Sequence, residues 1–233
     1  MAWYEAVREE FPITKRMIFL DIAHTNSPPT RVVDAIYGFL RRVQSYGTEK
    51  NLWVSMVEST RNKIAKLIGA EEHEIAFTKN TSEGMCIAAE GISFSPGDNV
   101  VINDLEHTPE PWLYLQRKGV KVKVAKSENG RLDPEHVFDL LDSRTKVLFM
   151  SHVTYHTGFR NDLATYGKFC RDRDIIYVVD AIQSLGAVKC DVHKLGVNIL
   201  VCGGHKWIFG PHGTGFIFCD HISNNMENHH VPP

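Results

Sequence analysis

The chain lacks most of the signatures that would fix a function class quickly. No C-x-x-C pair occurs among its five cysteines, Cys86, Cys170, Cys190, Cys202 and Cys219. An odd, scattered set argues against a disulfide framework or a structural zinc knuckle and fits reduced thiols in a cytoplasmic protein. No early strand runs into G-x-G-x-x-G, which argues against a dinucleotide fold. No H-E-x-x-H motif is present; His152 and His156 have the i, i+4 spacing but no acidic partner, and no metal is expected. No apolar run is long enough to cross a bilayer, and the acid-bearing start, MAWYEAVREEFPITKRMIFL, holds no stretch of signal-peptide length. Net charge is only −2 over 233 residues, so neither nucleic acid nor an anionic membrane is an expected partner. Internal repeats and low-complexity segments are also missing.

What is present is an alternation. A short amphipathic helix is expected over 3–10, then an extended segment, MIFLDIAHTNSPPTRVV, closed by Pro28-Pro29. Helices follow over about 30–43 and through LWVSMVESTRNKIAKLIG, the latter stopped at Gly69. Strands are then expected at 74–78, 100–104, 121–126, 146–153, 175–180, 199–204 and 213–219. Helical stretches separate most of them, including one beginning at Met85 after the turn KNTSEG. Several strands are continuous apolar runs, the pattern of strands buried on both faces. The fold class is therefore α/β, with a mostly parallel seven-stranded sheet between helices.

In such sheets ligands collect at the carboxyl ends of the strands. IIYVVD ends in Asp180, an acid after five apolar residues. It reads either as a helix N-cap or as a counter-charge for a bound cation. ILVCGG leads to His205-Lys206, with Gly203-Gly204 before and Gly210-Pro211-His212-Gly213 after. Taken alone, a lysine there is a solvated side chain; held in a desolvated loop it becomes a nucleophile. KNTSEG puts Thr81 and Ser82 at a helix start, where they serve as caps or as phosphate donors. His107, after VVIND, is a packed histidine or a flat surface for a ring. Together these supply an amine, an acid, phosphate donors and a flat face, matching the four parts of pyridoxal 5′-phosphate (PLP).

The stretches FLDIAHTNSPP, FTKNTSEGM, LEHTPEPW, SHVTYHTGFRNDLATYG, VVDAIQSLGA and GGHKWIFGPHGTGF resemble the class V aminotransferase superfamily of fold-type I PLP enzymes. The likeness is to its cysteine desulfurase, selenocysteine lyase and isopenicillin-N-epimerase-like branch. It covers the chain up to Cys219, and the pair DAIQS and GGHKW carries it best. The resemblance implies that Lys206 forms the internal aldimine. It implies that Asp180 keeps the pyridine nitrogen protonated and that Gln183 bonds the phenolic oxygen. His107 would stack on the ring, Thr81, Ser82 and His205 would hold the phosphate, and Ala23 and His24 would approach the substrate. Two positions depart from the desulfurase pattern: Gly203 stands where a serine is usual, and Tyr155 where an asparagine is.

The resemblance further implies an enzyme acting on an amino acid, of aminotransferase, lyase/desulfurase or epimerase type, working as a homodimer. The expected division is an N-terminal arm (1–29), a PLP-binding large domain (30–219) and a tail (220–233). The C-terminal small domain, with the family's substrate-carboxylate arginine, is expected to be absent. An inactive fragment without that clamp is the alternative expectation.

Overall fold

The computed structural model describes residues 3–220. Its helices are α1 (Trp3–Glu9), α2 (Thr30–Tyr46), α3 (Lys50–Ile68), α4 (Thr81–Gly91), α5 (Glu110–Tyr114), α6 (Pro134–Phe138), α7 (Leu163–Arg171) and α8 (Val192–Leu195). Its strands are β1 (Ile75–Thr78), β2 (Asn99–Asn103), β3 (Lys121–Ala125), β4 (Thr145–Ser151), β5 (Ile176–Asp180), β6 (Ile199–Gly203) and β7 (Gly215–Cys219). They form one sheet in the order β1-β7-β6-β5-β4-β2-β3. Only β7 runs against its neighbours, pairing antiparallel with both β1 and β6. The expected mostly parallel seven-stranded sheet is therefore the one observed.

Strand periodicity of two splits the core into two clusters, one per face. Val101, Leu148, Tyr177, Val179, Leu200 and Phe218 face α7, α8 and the end of α3. Val100, Phe149, Ile176, Val178, Ile199 and Ile217 face α4 and α5. Residues of β2, β5 and β6 are buried along their full length, which is why they read as unbroken apolar runs.

Two local expectations need correction. The helix placed at Met85 begins at Thr81, because the Asn80 side chain accepts the Glu83 N–H at 2.8 Å and caps it there. The extended segment expected before Pro28 is interrupted rather than continuous. It turns at residues 22–24 and is held to the body of the domain by side-chain and backbone bonds described below. α3 does stop at Gly69, whose φ of 71° is the left-handed C-cap a glycine accepts at little cost. Of the expected tail, residues 221–233 lie outside the described residues.

Candidate functional site

All strands but β7 point the same way, so β1, β2, β4, β5 and β6 deliver their C-terminal residues to one edge. The chain moves outward from β2 to β3 and returns inside β2 as β4. The crevice between β2 and β4 is therefore a switch point of the kind where α/β sheets bind ligands. Every residue expected to touch the cofactor ends or follows a strand at this edge, while Ala23 and His24 lie in the segment before Pro28.

Asp180 closes β5 and is 6% exposed; Lys206, three residues past β6, is 5% exposed. These two values matter because unpaired carboxylates and ammonium groups are rarely buried. Asp180 accepts the Ile182 N–H at 2.8 Å. Burial pushes its carboxyl up to about 7 against that bond, with nearby Glu106 adding and Lys206 opposing. Burial likewise lowers the Lys206 ammonium, opposed by Asp180 and Cys202. The two groups thus sense each other in a desolvated space. The Lys206 Nζ also lies 5.0 Å from the centre of the Tyr155 ring.

The loop that carries Lys206 is tightly determined. Gly204 N–H donates to Thr214 O and Gly210 N–H to Gly204 O, both at 2.8 Å. A Cβ on Gly204 would lie 2.4 Å from Thr214 Oγ1, so a side chain there would force Thr214 to shift. Phe209 adopts φ 60°, an outlier for a bulky residue, and its ring packs edge-on against Phe11 at 5.2 Å. Such strain persists only where surroundings impose it, commonly at sites.

Thr81, at the first turn of α4, is buried, and its hydroxyl has no hydrogen-bond partner. A Cβ built on Gly203 would sit 3.1 Å from Thr81 Oγ1 and 3.3 Å from His205 Nδ1. The two residues therefore converge on the space beside Gly203. The glycine found there instead of serine leaves room that a side chain would crowd. Ser82 is exposed instead and lines a shallow cleft with Thr108 and Glu110; no measured contact joins it to Thr81 or His205. His205 stacks on His212, with ring centres 4.6 Å apart. Burial, His212, Lys206 and His24 all disfavour its charged form.

His107 stacks on Tyr155, with centres 4.2 Å apart and planes 28° apart. Burial, then Lys206 and His156, lower its pKa against Glu110. Gln183 is engaged at both ends of its amide. Its Nε2 donates to Ala23 O at 2.8 Å and its Oε1 accepts from Trp207 Nε1 at 3.0 Å. One amide hydrogen remains for a ligand.

Several residues here escaped the sequence reading. Glu106 is buried; its Oε1 accepts from Ser151 N–H at 2.9 Å and from Asn103 Nδ2, and its Oε2 from Ser151 Oγ at 2.5 Å. Burial raises its pKa despite these bonds. It sits next to His107, and the signal that could have found it is the one that flagged Asp180, an acid just past an apolar strand. Asn26 binds the Lys206 loop twice, N–H to His205 O and Nδ2 to Gly210 O, both at 2.9 Å. Thr25 Oγ1 lies 3.0 Å from His212 Nε2. The 17–29 segment is thus a strap over the lysine loop. His152 is buried, its pKa pushed down to about 4 by burial and Arg160, and its Nδ1 has no partner.

An acid and an amine buried at adjacent strand ends fit the two reactive poles of a pyridine aldehyde. An orphaned hydroxyl and an imidazole beside a helix start fit its phosphate. A family model described as aminotransferase class V matches residues 18–231, running past Cys219. The chain belongs to the class V aminotransferase family. A probable cysteine desulfurase from Methanothermobacter thermautotrophicus is 35% identical over 92% of this chain, and one from Pyrococcus abyssi is 32% identical over the same share. The solved cysteine desulfurase from Thermococcus onnurineus, 31% identical, superposes on 95% of the chain with a TM-score of 0.87. The chain spans 56% of the length of the two curated relatives and 58% of the solved one. Family and side chains together indicate pyridoxal 5′-phosphate as the cofactor. No helix among the described residues is long and apolar enough to cross a membrane.

Proposed function

We propose that this chain carries the cofactor-binding part of a PLP enzyme that transforms an amino acid, with Lys206 as its Schiff-base lysine. The burial of Lys206 beside Asp180 carries this reading. Bound there, the cofactor supplies an electron-withdrawing ring that stabilises negative charge at the amino-acid Cα. Burial favours the neutral Lys206 amine, which makes it nucleophilic and later able to accept or return a proton at Cα. Asp180 holds positive charge on the pyridine nitrogen, and that same charge relieves the cost of burying the carboxylate. Thr81 and His205 hold the phosphate, with the α4 N-terminus adding its partial positive charge; Ser82 joins them through its backbone N–H. His107 offers its ring face, and Gln183 its remaining amide hydrogen to the phenolic oxygen.

The reaction is of aminotransferase, lyase/desulfurase or epimerase type. Sulfur-bearing amino acids come first among substrates to assay, since relatives more than 30% identical bear the name cysteine desulfurase. A cytoplasmic homodimer belongs to the same reading. It is supported by exposed apolar side chains on α2 and α3, Tyr37, Leu40, Val54 and Met56, and is checked by sedimentation. The large-domain assignment of 30–219, between an arm and a tail, is part of the proposal too.

The deciding experiment is a near-UV/visible spectrum of the purified chain with PLP before and after borohydride, then peptide mass mapping. A reduced pyridoxyl adduct is expected on Lys206 and is expected to vanish in Lys206→Ala. An adduct on another lysine, or an undiminished one in the variant, overturns the assignment.

A further inference from the structure

The opposite edge of the sheet holds a second convergence of polar groups. Glu74 ends a 3₁₀ turn (Glu72–Glu74) just before β1, His193 lies in α8 ahead of β6, and Asp220 follows β7. β7 is antiparallel, so its end meets the starts of β1 and β6. One ligand-capable atom from each of these three residues lies within 4.8 Å of the others, the one such group of three among the described residues.

Each donor is held from behind. The Glu74 side chain is 4% exposed, and its Oε2 accepts the Glu71 N–H at 2.8 Å in a capping box. His193 Nε2 lies 3.2 Å from that same oxygen, and its ring packs edge-on to Phe218 at 5.7 Å. The Asp220 N–H donates to Asn198 O at 2.8 Å, fixing the backbone beside the start of β6. Donors around a tetrahedral zinc ion, each about 2.0–2.1 Å from it, stand about 3.4 Å apart. The Glu74–His193 separation of 3.2 Å already matches, and Asp220 offers its ligand atom within 4.8 Å of both. Two carboxylates and a neutral imidazole balance a dication in charge. An imidazole in the set selects zinc-class ions over magnesium or calcium, which favour all-oxygen shells. His193 is 39% exposed at its side chain, leaving a path for the ion and a fourth position for water.

We propose that Glu74, His193 and Asp220 form a zinc-class divalent-cation site that ties the β1 and β6 crossovers to the end of β7, remote from the cofactor pocket. The ion would link three segments distant in sequence, through three protein ligands and one water, and none of these ligands is among the residues assigned to PLP. The test uses the full 233-residue chain loaded with PLP, stripped of metal, and titrated with Zn²⁺ alone. At Zn²⁺ about 100-fold above Kd, Tm is expected to rise by about 5 °C or more. The rise should shrink by most of its size in His193→Ala and in Asp220→Asn, each compared with its own metal-free Tm. It should persist in His136→Ala, an exposed histidine elsewhere. Bound zinc after dialysis should fall from one per chain to none in the two site variants. No Zn²⁺-dependent shift, or a full shift in both site variants, overturns the site and assigns any binding to other histidines. Neither result depends on whether Lys206 carries PLP.

Discussion

Asp180→Asn is the substitution whose consequences differ most between the empty and the loaded chain. In the empty chain the carboxyl is pushed from its ordinary 3.8 up to about 7. A raised acid pKa means the fold tolerates the neutral form and resists the charged one. The stability contribution is thus fully present below pH 4 and is lost as pH rises to 7. The gap is about 3 pH units at 1.36 kcal/mol each, or about 4 kcal/mol at most. Asparagine keeps the Oδ1 that accepts the Ile182 N–H and never ionises. Wild type and Asp180→Asn should therefore have similar unfolding free energies only near pH 4 and below, and the variant should be the more stable by up to ~4 kcal/mol at pH 8.

With PLP bound the sign reverses. By the proposed assignment the carboxylate would then be one half of a buried ion pair, and removing one partner of such a pair costs about 3–5 kcal/mol. Cofactor affinity should fall by about a hundredfold or more, since each 1.4 kcal/mol is tenfold. Urea unfolding at pH 4 and pH 8 without cofactor, together with PLP titration followed by absorbance, measures both halves. Parallel pH curves for the two proteins, or an unchanged PLP affinity in the variant, would refute the reasoning, because the burial of Asp180 would then carry no cost for a ligand to relieve.

Three further substitutions probe other parts of the structure. Thr81→Val removes a buried hydroxyl with no partner. It should stabilise the empty chain by about 1 kcal/mol while weakening PLP binding about tenfold, read by denaturation and titration. Tyr155→Ala frees the His107 face on which the phenol ring now stacks. PLP should bind about three- to tenfold more tightly, by the ~0.5–1.5 kcal/mol of an aromatic pair that no longer has to be displaced. Gly167→Ala places a Cβ 1.8 Å from the Leu195 carbonyl, where α7 meets α8; the expected loss is about 3 kcal/mol in urea unfolding, with the PLP spectrum of the folded fraction unchanged.

The sheet was legible because burial on both faces writes itself as unbroken apolar runs, and β2, β5 and β6 are such runs. Boundaries were less so. α4 starts four residues before its apolar stretch because one side-chain bond from Asn80, invisible to periodicity, sets the first turn. Asp180 and Lys206 could be singled out since a charge at the end of an apolar strand is a local anomaly. Glu106 carries the same anomaly, but its neighbour His107 drew the functional reading, and its bonds to β4 span 45 positions. The segment 17–29 was read as an arm near the substrate, but its grip on the lysine loop was not. Asn26 reaches the lysine loop by backbone and amide contacts that have no composition or period. Ser82 shows the converse, a hydroxyl in the right motif whose side chain faces out.

The protein side of the site is a collection of energetic penalties, and their kinds are informative. A carboxylate is forced toward neutrality, an ammonium likewise, and a hydroxyl goes without a partner, all at one end of one sheet. Packing or solubility would select none of these, since each has a cheaper apolar or exposed substitute. On the proposed reading each would be relieved by a different part of a single ligand, namely a protonated ring nitrogen, an aldehyde carbon and a phosphate oxygen. Three unrelated coincidences thereby become one, and the stability missing from the empty chain returns as affinity for whatever supplies all three. A ligand that binds only the folded state stabilises it by RT ln(1 + [L]/Kd). The same groups that weaken the unloaded fold should therefore make PLP raise its Tm more than phosphate or an aldehyde alone at the same concentration.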